Sequence, residues 1–183
     1  MDNSILLTQM IYTRISHDLS GAAGAVYNGT ELLSEDLSFA DQASGLIQSS
    51  ADNLMKRLRF FRQTFGLQNK QDPDATSDYL STFTMPFQIS RACENNLERT
   101  LVMALTDVFY KGAKFELYPD KMNATGEALK NCDYLCQIFD TGLFEENANN
   151  APAVFAYFLA RQMHKKLVLT AQDNAVQINI QDE

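Results

Sequence analysis

Apolar residues recur with a helical period through the first part of the chain. Seven of them between residues 11 and 33 are spaced three or four apart, so at about 100° per residue they form a single stripe along one helix. The stripe consists of Ile11, Ile15, Leu19, Ala22, Val26, Gly29 and Leu33. A second periodic run covers residues 39–65 and is followed by Gly66, a natural helix stop. The pattern predicts two long helices joined by a turn near residues 34–38.

Polar residues interrupt this pattern after the second helix. Residues 68–78 are polar and contain Pro73, which is typical of a linker. We therefore predict a helical domain over residues 1–67 and a second domain over residues 77–183. A helical hairpin alone buries too little surface to be stable, since most helix stability comes from packing an apolar face. Two hairpins paired across a twofold axis form a four-helix bundle, so we expect a homodimer.

The second domain mixes helical and strand periods. The predicted elements are a strand over 87–93, a helix over 95–111, a strand over 114–118 after a turn at Gly112, a helix over 151–164, and a hairpin with strands 166–171 and 175–180. The pattern over residues 120–144 predicts no definite element. The fold class is therefore α+β, with an N-terminal helical hairpin followed by a C-terminal α/β sandwich.

Charge narrows the classes of partner. The chain has a net charge of -8 and a pI near 4.7, which argues against a nucleic-acid surface, because phosphate backbones require clustered Lys and Arg. One basic run, residues 56–62, lies in the second half of the second helix, where the helix dipole favours cations; it could also meet an acidic partner. The hydrophobic content of 45% is ordinary for a globular protein.

The sequence also bears on compartment and metals. The first residues lack the basic segment, apolar run and cleavage site of a secretory signal, and no stretch approaches the roughly 20 apolar residues of a membrane span. We expect a cytoplasmic protein that does not contact a membrane. Three cysteines, Cys93, Cys132 and Cys136, fit a reducing compartment, and no neighbouring His or Cys completes a zinc site with the last two.

His17 lies opposite the apolar stripe and should face solvent. Its own side of the helix, within about 40°, holds small or mostly polar neighbours, namely Met10, Thr13, Gly21, Gly24 and Asn28. Glycine on an exposed helix face costs about 1 kcal/mol relative to alanine. A surface histidine most often has no special role, but this cost suggests that a partner comes close. We predict that Ser20, Gly21, Gly24 and Asn28 border a docking surface.

The residues around His17 favour phosphoryl transfer. A neutral imidazole is a nucleophile near neutral pH, and the adjacent Asp18 could orient the ring or accept its proton. Arg14, one turn earlier, is either an ordinary surface arginine or a planar donor to the phosphoryl group. The other histidine, His164, has no adjacent acid and ends a predicted helix, so we interpret it as a C-terminal capping residue.

These motifs resemble the ChpT-type histidine phosphotransferases of bacterial phosphorelays. The resemblance rests on RISHDLSG at residues 14–21, GAV at 24–26 and NGTELL at 28–33, and it extends over about residues 10–66, with RFFR at 59–62 followed by Phe65 and Gly66. Beyond that, only GAKF at 112–115 and residues 154–161 are similar. The resemblance implies a dimeric four-helix bundle and a second domain like a histidine kinase ATPase domain that no longer binds ATP.

The kinase motifs themselves are incomplete. Kinases cradle nucleotide phosphates with an Asp-x-Gly-x-Gly loop, because only glycine lets the backbone approach closely. Asp140 and Gly142 keep the first half, but Phe144 stands where the second glycine is needed, so we interpret Asp140 as a turn residue. Alignment with the kinase asparagine box puts Val108, which cannot ligate magnesium, at the metal position. Kinases with phosphatase activity carry Thr or Asn where this chain has Gly21, so neither ATP binding nor phosphatase activity is expected.

The sequence thus predicts a histidine phosphotransferase that shuttles phosphoryl groups between receiver-domain aspartates, with His17 as acceptor. The chain itself is expected to bind no cofactor; Mg would be supplied by the partner receiver domain, since no carboxylate cluster here suits it. The resemblance implies the receiver of a hybrid histidine kinase as donor and response regulators as acceptors. Two alternatives stay open: a non-catalytic dimeric scaffold that docks receivers or kinases, and an active kinase with an unusual nucleotide site.

Overall fold

The computed structural model describes residues 3–67, 70–127, 129–130 and 132–183. Helix α1 spans Asn3–Glu35 and helix α2 spans Ala40–Phe65, so the two predicted long helices are confirmed. The turn between them is a short 3-10 segment, Leu37–Phe39, in which the side chain of Asp36 accepts a hydrogen bond from the Ser38 backbone at 2.8 Å. This cap stabilises the start of the 3-10 segment directly after α1.

The two helices pack closely at Gly29, within the predicted stripe. A Cβ at this position would lie 2.6 Å from Cγ1 of Ile47 and 3.4 Å from the carbonyl oxygen of Ala43. Glycine is therefore required here by the close approach of the helices, and this contact fixes their antiparallel register. The opposite end of α2 closes at Gly66, whose backbone N–H donates to the carbonyl of Arg62 at 3.1 Å.

The predicted linker is shorter than expected. Residues 68 and 69, with which it was predicted to begin, lie outside the described residues. Helix α3, Ala75–Leu80, occupies much of its second half, so the prediction of a linker up to residue 78 is wrong, and the predicted domain start at residue 77 falls inside this helix. The reason is burial, because four of its six residues are buried, and two of them, Tyr79 and Leu80, belong to the hydrophobic core.

A five-stranded sheet follows, in the order β1-β2-β3-β5-β4. Strand β1 pairs with β2 in parallel, and the other pairs are antiparallel. The strands and helices of this part are β1 Gln88–Ile89, α4 Asn96–Thr106, β2 Ala113–Leu117, β3 Lys121–Gly126, α5 Asp133–Thr141, α6 Ala151–Gln162, β4 Lys165–Gln172 and β5 Ala175–Asp182. The predicted α+β class and the final hairpin are confirmed.

Two predicted elements are shorter in the structure. The strand expected over 87–93 is reduced to β1, since the chain turns away after Ser90, whose backbone N–H donates to Phe115 at 2.9 Å. Helix α4 ends at Thr106 rather than at residue 111, because the carbonyl of Val108 accepts from the Lys130 backbone at 2.8 Å and Phe109 forms a bridge with Leu129. These tertiary hydrogen bonds draw the segment out of the helix.

Residues 120–144, for which the sequence predicted no element, contain β3 and α5. Buried and exposed positions alternate along β2 and β3, so one face of the sheet packs against helices. The hydrophobic core is shared by both parts of the chain, since Met10, Phe60 and Phe61 of the helical hairpin belong to the same cluster as α4, α6 and the sheet. No helix among the described residues combines the length and the apolar character that a membrane crossing requires.

Candidate functional site

His17 lies near the middle of α1, and its side chain is 85% exposed. The surface on its C-terminal side is low, because a Cβ added at Gly21 or Gly24 would have no atom within 4 Å. Ser20 and Asn28 are also exposed. The structure therefore places the predicted docking residues on one open helix face beside the imidazole.

Asp18 contacts the ring of His17. Its Oδ1 lies 3.4 Å from Nδ1 of His17, and its Oδ2 accepts a hydrogen bond from Nε of Arg14 at 3.0 Å. The Asp18 side chain is only 10% exposed, so it is held by its surroundings while the imidazole stays in solvent. Because Nδ1 faces the acid, Nε2, on the far side of the ring, is left free for chemistry.

Arg14 is buried, and the interpretation of an ordinary surface arginine is wrong. Besides Asp18, its guanidinium donates to both carboxylate oxygens of Asp107, at 2.8 and 3.0 Å, and to Oδ1 of Asn149 at 3.1 Å. All three guanidinium nitrogens thus have protein acceptors. The structure brings Arg14 to the second part of the chain and not into the space in front of His17.

The positive charge of Arg14 is balanced by the carboxylates of Asp18 and Asp107. Burial alone would lower the pKa of Arg14, but the hydrogen bond to Asp107 and the charges of Asp107 and Asp18 outweigh it, so its pKa is raised. Tyr79 lies in the same environment, with a buried hydroxyl that has no hydrogen-bond partner in the described part of the chain. Burial and the charge of Asp18 both raise the pKa of Tyr79, so the phenol stays neutral.

The prediction that Met10 lies on the exposed surface beside His17 is wrong. The residue is 4% exposed and belongs to the shared core. The helix face is the same one; the reason for burial is that the second part of the chain packs over the N-terminal half of α1. Asp107 and Asn149, by contrast, were missed entirely, since no local pattern connects them with α1.

A cleft of about 260 Å³ adjoins His17 between the two helices of the hairpin. Its walls come from α1 on one side and α2 on the other, with one residue from the loop after α3. The lining residues are His17, Asp18, Gly21, Ala22, Ala25, Ser50, Asn53, Arg57 and Thr82. The three α2 residues were not singled out as site residues from the sequence.

The remnants of the kinase motifs have structural roles. Val108 is fully buried, and Asp140 lies in the last turn of α5 rather than in a turn. Gly142 caps α5 with φ 71°, and a Cβ there would lie 2.7 Å from the Tyr157 hydroxyl oxygen. A cavity of about 390 Å³ lies nearby, with Asp107 and asparagines in its wall.

His164, with φ 56°, follows α6 and donates its backbone N–H to the Arg161 carbonyl.

Comparisons with known proteins support the resemblance inferred from the motifs. A segment of 60 residues is 45% identical to protein phosphotransferase ChpT of Brucella abortus (strain 2308); this match covers 33% of the chain and 28% of that protein. The chain therefore spans about a quarter of the length of this curated relative. No protein-family model matches the sequence.

A solved structure shares the whole fold. The structure titled as that of a bacterial phosphotransferase superposes with a TM-score of 0.79 over 96% of this chain and 95% of the other, at 21% sequence identity. This agreement establishes the same architecture for the hairpin and the second part of the chain. An alignment with the histidine kinase AdeS of Acinetobacter baumannii has a TM-score of 0.32 and 12% identity, which is too low to support a conclusion.

The burial of Arg14 predicts a large stability effect. Arg14→Met removes the cation between Asp18 and Asp107 and leaves both carboxylates without their main partner, so we expect a loss of about 3 kcal/mol in the free energy of unfolding, measured by urea denaturation. The matched control is Lys111→Met, which breaks the exposed pair with Glu127 and should cost less than about 0.5 kcal/mol. Equal effects of the two substitutions would contradict this assignment.

Proposed function

We propose that this protein is a histidine phosphotransferase that carries a phosphoryl group between receiver-domain aspartates. The observation that carries the proposal is His17 itself, an imidazole 85% exposed whose Nδ1 faces a held carboxylate, on a helix face cleared by glycines. The identity of 45% with a ChpT phosphotransferase over 60 residues supports the same chemistry. By this analogy the donor is the receiver of a hybrid histidine kinase, and response regulators are acceptors.

In the transfer step, Nε2 of His17 attacks the phosphorus of a receiver aspartyl phosphate. A P–N bond forms as the P–O bond to the aspartate breaks, and the receiver side chain leaves as a carboxylate. The proton on Nδ1 stays on the ring, where the negative charge of Asp18 at 3.4 Å stabilises the cationic imidazole. The reverse reaction passes the group to a second receiver, which supplies its own Mg²⁺ in both cases.

The flat surface beside His17 suits docking of a folded domain. A buried acceptor could not meet an aspartate that lies in the active site of another protein, because the reacting atoms must come within about 3–3.5 Å. Ser20, Gly21, Gly24 and Asn28 surround the approach to His17 without tall side chains above it. The residues at this face thus determine how closely the receiver can approach.

We also infer that a second copy of the chain packs against the hairpin. Except for Gly29, the residues of the apolar stripe on α1 are only half-buried, although Ile11, Ile15 and Leu19 already pack against the core of the chain. Next to them, Tyr12 and Tyr27 on α1 and Met55 on α2 are 73%, 61% and 60% exposed. Pairing two such hairpins would cover this surface and build a four-helix bundle.

The function is tested by labelling with a phosphorylated receiver domain in the absence of ATP. We expect an acid-labile, base-stable phosphoryl label on the wild-type protein and none on His17→Ala. His164→Ala serves as the control, because it removes the other histidine of the chain. Labelling of His17→Ala at the wild-type rate would show that His17 is not the acceptor, and a chain that is never labelled would be a scaffold.

Gly24→Leu tests the docking surface. The position has open space around it, so the substitution should leave folding intact, while a leucine side chain near His17 should slow transfer from the receiver by at least about tenfold through steric exclusion. Gly45→Leu is the matched control, since Gly45 also has no atom within 4 Å of an added Cβ but lies on α2, at the level of Gly29 and away from His17. Transfer at an unchanged rate in Gly24→Leu would remove the steric argument.

The dimer is tested by charge placed on the exposed apolar surface. A Tyr27→Glu, Met55→Glu variant puts two carboxylates where the second copy would pack, so we expect a monomer by light scattering where the wild type is a dimer. Leu143→Glu, at a residue 64% exposed in the second part of the chain, should remain dimeric. A monomeric wild-type protein would refute the inference.

A further inference from the structure

We infer that Ser50, Asn53 and Arg57 of α2 form an anion-binding ladder that holds the phosphoryl group on His17. This inference rests on the proposed function and deepens it, because it assigns residues on α2 to a reaction so far attributed to α1 alone. The three residues follow a spacing of three and four, so they lie on one face of α2. All three line the cleft that also contains His17.

The polar groups of the three ladder side chains are available to a ligand. Among the described residues, no hydrogen bond or ion pair involves the hydroxyl of Ser50, the amide of Asn53 or the guanidinium of Arg57; the last stacks 5.2 Å from the ring centroid of Phe83. Ser50 is only 7% exposed, yet its hydroxyl has no protein partner. The oxygen itself is not among the buried side-chain atoms that lack a partner, so it opens into the cleft, where it can donate to a ligand or to water.

Arg57 is at the level of His17 along the hairpin. Gly29 of α1 packs between Ala43 and Ile47 of α2, which sets the antiparallel register of the two helices. His17 lies 12 residues before Gly29 on α1, and Arg57 lies 12 residues after Gly45, the midpoint between Ala43 and Ile47 on α2. Because both helices rise about 1.5 Å per residue, the two separations cover the same distance along the hairpin. Arg57 therefore lies at the level of His17 across the cleft, while Asn53 and Ser50 continue along it towards Gly21 and Ala25.

Other cations near the site already have partners. Arg14 is saturated by Asp18, Asp107 and Asn149. On α2, Arg59 pairs with Asp72 and Asp78, and the ammonium of Lys56 donates to the Ser81 hydroxyl at 3.1 Å. Among the residues that line the His17 cleft, Arg57 is the one cation.

The chemistry of the transfer calls for such a group. The phosphoryl group on an imidazole nitrogen carries about two negative charges, and the nearby Asp18 carboxylate adds repulsion. A guanidinium forms two parallel charge-assisted hydrogen bonds with phosphoryl oxygens, which stabilises both the transition state and the phosphohistidine. The side chains of Asn53 and Ser50 can donate hydrogen bonds to the remaining phosphoryl oxygens or to the molecule that delivers the phosphoryl group.

The inference is tested with phosphoramidate, a small phosphoryl donor that needs no docking surface. We expect Arg57→Ala to lower the rate of His17 labelling about 10- to 100-fold, which is the size of a lost hydrogen bond to a charged group. Arg57→Lys should restore part of the rate, and Asn53→Ala should reduce it several-fold. Thermal unfolding of each variant checks that the fold is kept, and the Arg57→Lys variant keeps the test valid if Arg57→Ala does not fold.

Lys56→Ala is the matched control, because it removes one positive charge from the adjacent residue of the same helix without altering the cleft. It should label at the wild-type rate. Equal labelling of Arg57→Ala and the wild type, or equal slowing in Lys56→Ala, would overturn the ladder while leaving His17 as the acceptor. Absence of a label on wild-type protein with both phosphoramidate and a phosphorylated receiver would overturn the proposed function and this inference together.

Discussion

The ion-pair cluster around Arg14 determines how the two parts of the chain meet. An arginine only 7% exposed is stable only with carboxylates at hydrogen-bond distance, and one of these, Asp107, lies 93 residues further along the chain. Apolar contacts between α1 and the second part could tolerate small shifts, but a bidentate pair cannot. The cluster therefore fixes one orientation between the hairpin and the sheet.

Asp18 links the ion-pair cluster to His17. It is the neighbour of His17 in sequence, but its position is set by Arg14 and, through Arg14, by Asp107. The second part of the chain thus contributes to the site through Asp107, which binds Arg14 and so helps to hold the Asp18 carboxylate that faces the ring of His17. Under the proposed function, a held acid beside an exposed imidazole would let His17 meet a partner while its Nδ1 faces the carboxylate.

The cleft beside His17 has two unlike walls. The α1 wall includes Gly21, which has open space around it and costs about 1 kcal/mol of helix stability relative to alanine. The α2 wall presents hydrogen-bond donors that end at Arg57. Under the proposed function, the first wall would admit a partner and the second would bind the anionic group that the partner brings. The chain as a whole has a net charge of -8, so the positive charge of Arg57 differs in sign from the net charge of the protein.

The sequence by itself determined what depends on local geometry. A period of 3.6 residues placed the two long helices and the outward face of His17, and the alternation near the C-terminus placed the final hairpin, because both signals need only neighbouring residues. The short extent of β1, the helix in the linker and the early end of α4 were decided by tertiary hydrogen bonds and burial. The same holds for the site: the sequence named His17 and Asp18, whereas the burial of Arg14 and its partner Asp107 follow from contacts across 93 residues of chain. No helical period encodes such contacts, so only the folded chain could bring these charges together.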